Sequence, residues 1–190
     1  KRDVRHFLDY IRNYSITLYF LYAGVIMKKN KVKEASAGID VQLKKRYDLI
    51  PNLLNMAAKF MAHESKLMEE ITKLRTAAMA NSFKDNPQEK IKNEKLLESK
   101  LKEFNLSVEN YPDLKSNQTM MTAMQSMNEV EEHIAAARRF YNAAVNDLTN
   151  ACEIFPSSLI ASMLGIRADM PYFEAEEAAK APVNSGDYFK

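Results

Sequence analysis

The chain predicts an all-α fold: an antiparallel up-and-down bundle of three to four long helices, with a short C-terminal helix and strap. Three observations carry this. Only 4 Gly and 6 Pro are spread over 190 residues, too few for a sandwich or barrel, which turns about every 8–12 residues. Two long stretches place apolar residues at alternating steps of four and three, the spacing of a helix seam. The links between periodic stretches are short, so successive helices should be antiparallel neighbours.

Composition narrows function as well. A net charge of +2 gives no global case for nucleic acid. One cysteine, Cys152, excludes a disulfide framework and any Cys-based metal site. The length suits one domain with an appendage.

Residues 1–27 read as an N-terminal helical extension or a truncated membrane anchor. Residue 1 is Lys, not Met, which reads as a processed or trimmed start. The run Ile16–Met27 is strongly apolar but short of the roughly 18–20 residues a spanning helix needs. Arg12 precedes it, and Lys28, Lys29 and Lys31 follow. Tyr14, Tyr19 and Tyr22 suit a membrane interface and equally an amphipathic helix. The run reads as a helix packed on the body or a partner, as a short anchor, or last as a signal segment, since no small-residue cleavage site follows. Residues 14–27 also offer a face for self-association. With no Pro in the way, one rod of roughly 65 Å should run from about Val4 to Tyr47.

Residues 28–165 form the predicted bundle. Val25, Val32, Ile39 and Leu43 give helix 1 its seam, with Ser36 and Arg46 at the intervening steps. Asp48 can cap helix 2, with Pro51 in its first turn. Helix 2 then carries Leu53, Ala57, Phe60, Glu64, Leu67, Ile71, Leu74 and Ala78 on one heptad seam. Asn86-Pro87 caps and starts helix 3, which points Ile91, Leu97, Leu101, Phe104 and Val108 inward. Its Lys and Glu residues read as a solvated outer face. Tyr111-Pro112-Asp113 is a turn. Helix 4 starts near Asn117, and its seam from Met124 to Phe155 is apolar except for Glu131 and Arg138. Ser157 or Ser158 can cap a short helix ending at Gly165. Residues 166–190 read as a strap anchored by Tyr172-Phe173.

Charges on apolar seams need partners, because a lone buried carboxylate costs several kcal/mol or more. Arg46, His63, Glu64, Glu131, Arg138 and Asn142 therefore form a candidate buried polar network, with Asp40 and Gln42 nearby. Helices 2 and 4 have the longest seams and should face each other, which predicts a Glu64–Arg138 pair. The plain role of such a network is to fix register; a ligand or ion site is the alternative. No catalytic, cofactor-binding or metal residues are predicted. Val130 and Phe60 stand where a di-iron bundle needs Glu before His133 and His63. Leu67 breaks His-Glu-x-x-His after His63-Glu64, and no phosphate loop or nucleophile elbow exists. Cys152 reads as a core thiol, and Met120, Met121, Met124 and Met127 as core or a partner surface.

Several words of the sequence strongly resemble the LemA family. They are Ile39-Asp40-Val41-Gln42-Leu43-Lys44-Lys45-Arg46, Asp48-Leu49-Ile50-Pro51-Asn52-Leu53, His63-Glu64, Tyr111-Pro112-Asp113-Leu114-Lys115, the run Ile134 to Asn142, Phe155-Pro156-Ser157-Ser158-Leu159-Ile160-Ala161 and Tyr172-Phe173-Glu174-Ala175. The match covers about Tyr22 to Val183. The resemblance implies an all-α antiparallel bundle, in bacteria usually tethered by one N-terminal transmembrane helix; it does not imply an enzyme, and no catalytic residues can be carried over. One branch belongs to magnetosome gene clusters and is linked to building that organelle's membrane. Two departures stand out. Tyr22-Ala23-Gly24-Val25-Ile26 replaces the usual Tyr-Asn before Leu-Val, and the transmembrane run is shortened behind the charged segment Lys1 to His6.

The expected function is a non-enzymatic, membrane-tethered scaffold or adaptor. It would be single-pass, in the inner or an organelle membrane, with an unidentified protein partner and no nucleic acid. The alternative is a small-ligand or ion sensor that uses the polar network.

Overall fold

The computed structural model describes residues 2–83 and 85–173, with side chains from Tyr10 onward. The charged start of the chain, Lys1 to His6, and the strap beyond Phe173 lie outside these described side chains. Among the described residues six α-helices follow in order: α1 Arg2–Ala57, α2 Ser65–Ala80, α3 Pro87–Val108, α4 Pro112–Lys115, α5 Gln118–Glu153 and α6 Ser157–Met163. Among the described residues there is no strand.

The run Ile16–Met27 continues unbroken into the bundle within α1. At 1.5 Å per residue this helix is about 84 Å long. It does not end at Tyr47, however, and Asp48 caps nothing. Asp48 lies in mid-helix, paired with Lys44 at 3.0 Å, and Pro51 is inside α1. A proline normally breaks a helix because it lacks an N–H for the carbonyl four residues back. Here that carbonyl belongs to Tyr47, and Arg75 Nε of α2 donates to it at 2.6 Å. The α1 seam therefore continues through Arg46, Ile50, Leu53 and Ala57, all essentially inaccessible to solvent.

The long seam expected of helix 2 is divided in two. Leu53 and Ala57 belong to α1, the chain turns over 58–64, and α2 takes Leu67, Ile71 and Ala78. In the turn the inward residue is Met61, fully buried, while Phe60 is 40% exposed. No Gly, Pro, Asn or Asp marks this turn, so the periodic pattern runs across it in the sequence.

The cap at Asn86 lies where the sequence puts it, and Asn117, near which helix 4 is expected to start, caps α5. Asn86 accepts from the Glu89 amide at 3.2 Å. Asn117 accepts from the Thr119 and Met120 amides at 3.0 and 3.1 Å. Each satisfies amides that a helix start leaves open. Neither Ser157 nor Ser158 caps α6, because Pro156 holds the cap position and Ser157 Oγ donates back to the Ile154 carbonyl. The far end of α6 closes on Gly165 at φ 62°, with the Ile166 amide donating to the Ala161 carbonyl at 2.9 Å. A Cβ would strain this left-handed position.

α5 runs antiparallel along α1: Lys28 Nζ donates to the Asp147 carbonyl, and Arg46 meets Glu131 further down. The α2–α3 hairpin packs on the lower half of this pair, and α6 closes the upper end of α5 against α1. Above that end α1 extends past the body, bordered by α6 as far as Ser15, and every described residue from Tyr10 to Phe20 is exposed. Among the described residues no helix is long and apolar enough to cross a membrane, so the single-pass helix implied by the resemblance is not among them.

Candidate functional site

A charged cluster lies where α1, α3 and α5 meet. Arg46, on the seam of α1, is completely buried. Its Nη1 donates to both carboxylate oxygens of Glu131 on α5, at 2.8 and 3.1 Å. Its Nη2 pairs with Glu94 on α3, only 1% exposed. The Tyr47 hydroxyl donates to the other oxygen of Glu94 and accepts from Lys90 Nζ at 2.8 Å. Lys90 also donates to the Ala78 carbonyl at the end of α2, at 2.7 Å. Two cations and two carboxylates balance, and together they tie the α2–α3 hairpin to the α1–α5 pair.

Burial alone would favour a neutral Arg46, but Glu94 and Glu131 outweigh it and hold the guanidinium above its ordinary pKa. Burial pulls the Lys90 ammonium below its usual value, against Glu94 and Asp40. Burial, then Glu94, pushes the Tyr47 phenol far up, so it stays a donor. No nucleophile is set beside a base in this cluster. Among the described residues no group of three or more His, Cys, Asp and Glu could hold a metal. What such an arrangement can do chemically is hold one hairpin in one register.

Of the network residues named from the sequence, Arg46 and Glu131 meet directly. Arg138 does not pair with Glu64. It donates to Glu98 of α3 at 2.9 Å, because α5 lies against α1 and α2 lies against α3. His63 and Glu64 stand in the single-turn helix of the 58–64 link, His63 exposed and Glu64 half-buried. Asn142 holds the strap: its Nδ2 donates to the Phe173 carbonyl at 2.8 Å, and its Oδ1 accepts from the Phe173 amide at 2.9 Å. The Phe173 ring stacks on Phe83 at 5.2 Å and lies edge-on to Tyr141. The Arg138 guanidinium covers it at 5.3 Å. Burial pushes the Tyr141 phenol up to about 12, and its hydroxyl donates to the Pro171 carbonyl.

The sequence reading missed Lys90, Glu94 and Tyr47. Helix 3 is not simply wet on its charged face: Lys90 and Glu94 are 3% and 1% exposed. The signal is spacing. Lys90, Glu94, Leu97, Leu101, Phe104 and Val108 follow steps of four and three, so the two charges fall on the apolar seam.

Asp40 borders the cluster. Burial raises its carboxyl above the ordinary 3.8, partly offset by Lys90 and a backbone hydrogen bond at Phe83; Glu94 and Asp85 push it further up. Folding thus favours the protonated form. That contribution is complete below the unfolded pKa and is lost as pH rises through the folded one. Ionised Asp40 therefore costs stability at neutral pH. Asp40→Asn should raise the thermal midpoint at pH 7, and the two midpoints should converge as pH falls toward about 4. A lower midpoint for the variant at pH 7 would mean that Lys90 depends on the carboxylate.

The chain is similar to known proteins along most of its length. The LemA family model matches residues 35–185. A curated relative, Protein LemA of Metamycoplasma hominis, is 21% identical over 173 residues, which cover 89% of this chain and 78% of the relative. The match takes in Arg46, Glu94, Glu131 and the strap contact at Asn142. With the family model spanning the bundle and its charged cluster alike, the chain belongs to the LemA family.

Proposed function

We propose that this bundle is a non-enzymatic scaffold, attached to a membrane face by the exposed N-terminal stretch of α1 and holding a protein partner there. The observation that supports it most is the exposed stretch of α1. Tyr14 is 60% exposed, Leu18 56%, Tyr19 64% and Phe20 66%. A helix that is apolar around its circumference normally lies in a core, a partner or lipid. This one is continuous with the bundle, so whatever it enters is rigidly coupled to the bundle. Attachment at the interface suits its length better than a full crossing. A role in building a membrane or organelle, as in the magnetosome branch, is the finer form of this reading.

Flotation with anionic vesicles tests it. The full chain should float, and Leu18→Ser/Tyr19→Ser/Phe20→Ser should stay at the bottom while keeping its thermal midpoint. Equal flotation of both, or of neither, would refute the attachment. Mild crosslinking in cells would then recover the partner of the attached chain. The sensor alternative rests on three buried atoms without a protein partner, Gln42 Oε1, Arg46 Nε and Arg138 Nε. A small polar ligand or ion that raised the midpoint of the wild type but not of Arg138→Met would favour it.

A further inference from the structure

We infer that the α5–α6 corner, led by Phe155, Leu159 and Met163, is a second membrane contact that enters the headgroup region of an anionic bilayer beside α1. The inference rests on the attachment proposed above and adds a surface that α1 does not contain.

The corner is built with its apolar side outward. α6 buries Ile160 and Ala161 against the bundle, yet leaves Leu159 59% and Met163 77% exposed. Ile154 and Phe155, in the link before it, are 59% and 79% exposed. From Ile154 to Ile166 no side chain is charged. An exposed apolar cluster of this kind marks a contact surface.

Its place on the molecule identifies the partner. α5 ends beside the stretch of α1 around Tyr22, so the corner lies at the depth where α1 emerges. An apolar groove of about 340 Å³ joins the two, with Leu18 and Tyr22 on one wall and Ile160 and Met163 on the other. A plane drawn across α1 at Leu18–Tyr22 therefore also touches the corner. On α1 itself the first charges past that level are all positive. Lys28, Lys29, Lys31 and Lys33 follow on α1 before Glu34, and Arg167 follows α6 before Asp169; Asp147 pairs with Lys31 at 3.6 Å, and Glu153 ends α5. From Asn13 to Lys33 there is no Asp or Glu. From Ile16 to Lys33, behind Asp9 and Arg12, α1 passes from apolar residues and tyrosines to cations, the order in which a bilayer presents its interface and its anionic headgroups. Two contacts would also fix the tilt of the bundle, which one helix leaves free.

The chain has no Trp, so one introduced indole reports its own surroundings. Phe155→Trp marks the corner. Leu106→Trp, 72% exposed in the last turn of α3, marks the opposite end of the bundle. With anionic vesicles containing shallow brominated lipids, Phe155→Trp should shift to the blue and be quenched several-fold more than Leu106→Trp. Leu159→Glu/Met163→Glu, both at exposed positions, should weaken vesicle binding by about tenfold or more at an unchanged thermal midpoint. Flotation with equal, weak quenching of both indoles would overturn the corner and keep the attachment. Failure to float would overturn both. A blue shift of Phe155→Trp that grows with protein concentration without vesicles would assign the corner to a second copy of the chain and overturn the lipid reading.

Discussion

Glu94→Leu is expected to destabilise the bundle by about 3–5 kcal/mol, the usual cost of stranding one member of a buried ion pair. For a chain of this size that lowers the thermal midpoint by on the order of 10 °C. The loss is compound. Arg46 has no solvent contact and keeps only Glu131, whose side chain is 33% exposed. Lys90 loses the carboxylate 3.7 Å away, and the Tyr47 hydroxyl loses its acceptor. Replacing Arg46 as well, in Arg46→Met/Glu94→Leu, should cost less than the two single changes together, because the fully buried guanidinium and its carboxylate leave together and only Lys90 and the partly exposed Glu131 lose a partner. Glu64→Leu serves as the contrast. At a half-buried turn position it should stay within about 0.5 kcal/mol of wild type. Urea titrations of the wild type, Arg46→Met, Glu94→Leu, the double variant and Glu64→Leu measure all of this. Strictly additive losses for Arg46 and Glu94 would show that they act independently.

The same residues show what the sequence could and could not disclose. A seam charge is visible wherever the steps of four and three are followed strictly, and Arg46 and Glu131 stand out on that basis. Glu94 was legible in principle, since the step from Ile91 to Leu97 skips the seam position that Glu94 occupies three residues before Leu97, with Lys90 four residues before it. It was hidden by composition: among so many Lys and Glu residues, two inward ones look like the rest. Pairing was harder still. Seam length suggested that helices 2 and 4 face each other, but which helices meet depends on where the chain turns. The 58–64 turn has none of the residues that normally mark one. Its closure rests on Met61 entering the core and on the Phe60 and Met61 amides donating to the Ala57 carbonyl at 2.9 Å each. The strap was legible through its aromatic pair, Tyr172-Phe173. The residue that holds it, Asn142, had been assigned to the polar network because one sequence position cannot show which neighbour an amide will meet. At the upper end, the apolar run on α1 was plain in the sequence. The corner was not, since α6 looks like an ordinary core helix until its outer face is found uncovered.

Arg75→Met is expected to cost about 1–3 kcal/mol, and the reason lies in Pro51. A proline inside a helix removes one hydrogen bond and typically costs about 3 kcal/mol. In α1 the carbonyl affected is that of Tyr47, a residue only 4% exposed. Left without a partner in such a place, a carbonyl carries a desolvation penalty of about 1–3 kcal/mol. Arg75 reaches across from α2 and donates Nε to it at 2.6 Å, so the proline is tolerated and α1 extends to Ala57. The same contact fixes α2 against α1 one residue from the Arg46 cluster. In a Pro51→Ala background the helix supplies its own N–H to Tyr47, and Arg75→Met should then cost only a few tenths of a kcal/mol. The double-mutant cycle therefore predicts a coupling of about 1–2 kcal/mol between two residues on different helices. Equal losses in the two backgrounds would mean that Arg75 stabilises the bundle through its packing or its charge, and that α1 tolerates Pro51 without help from α2.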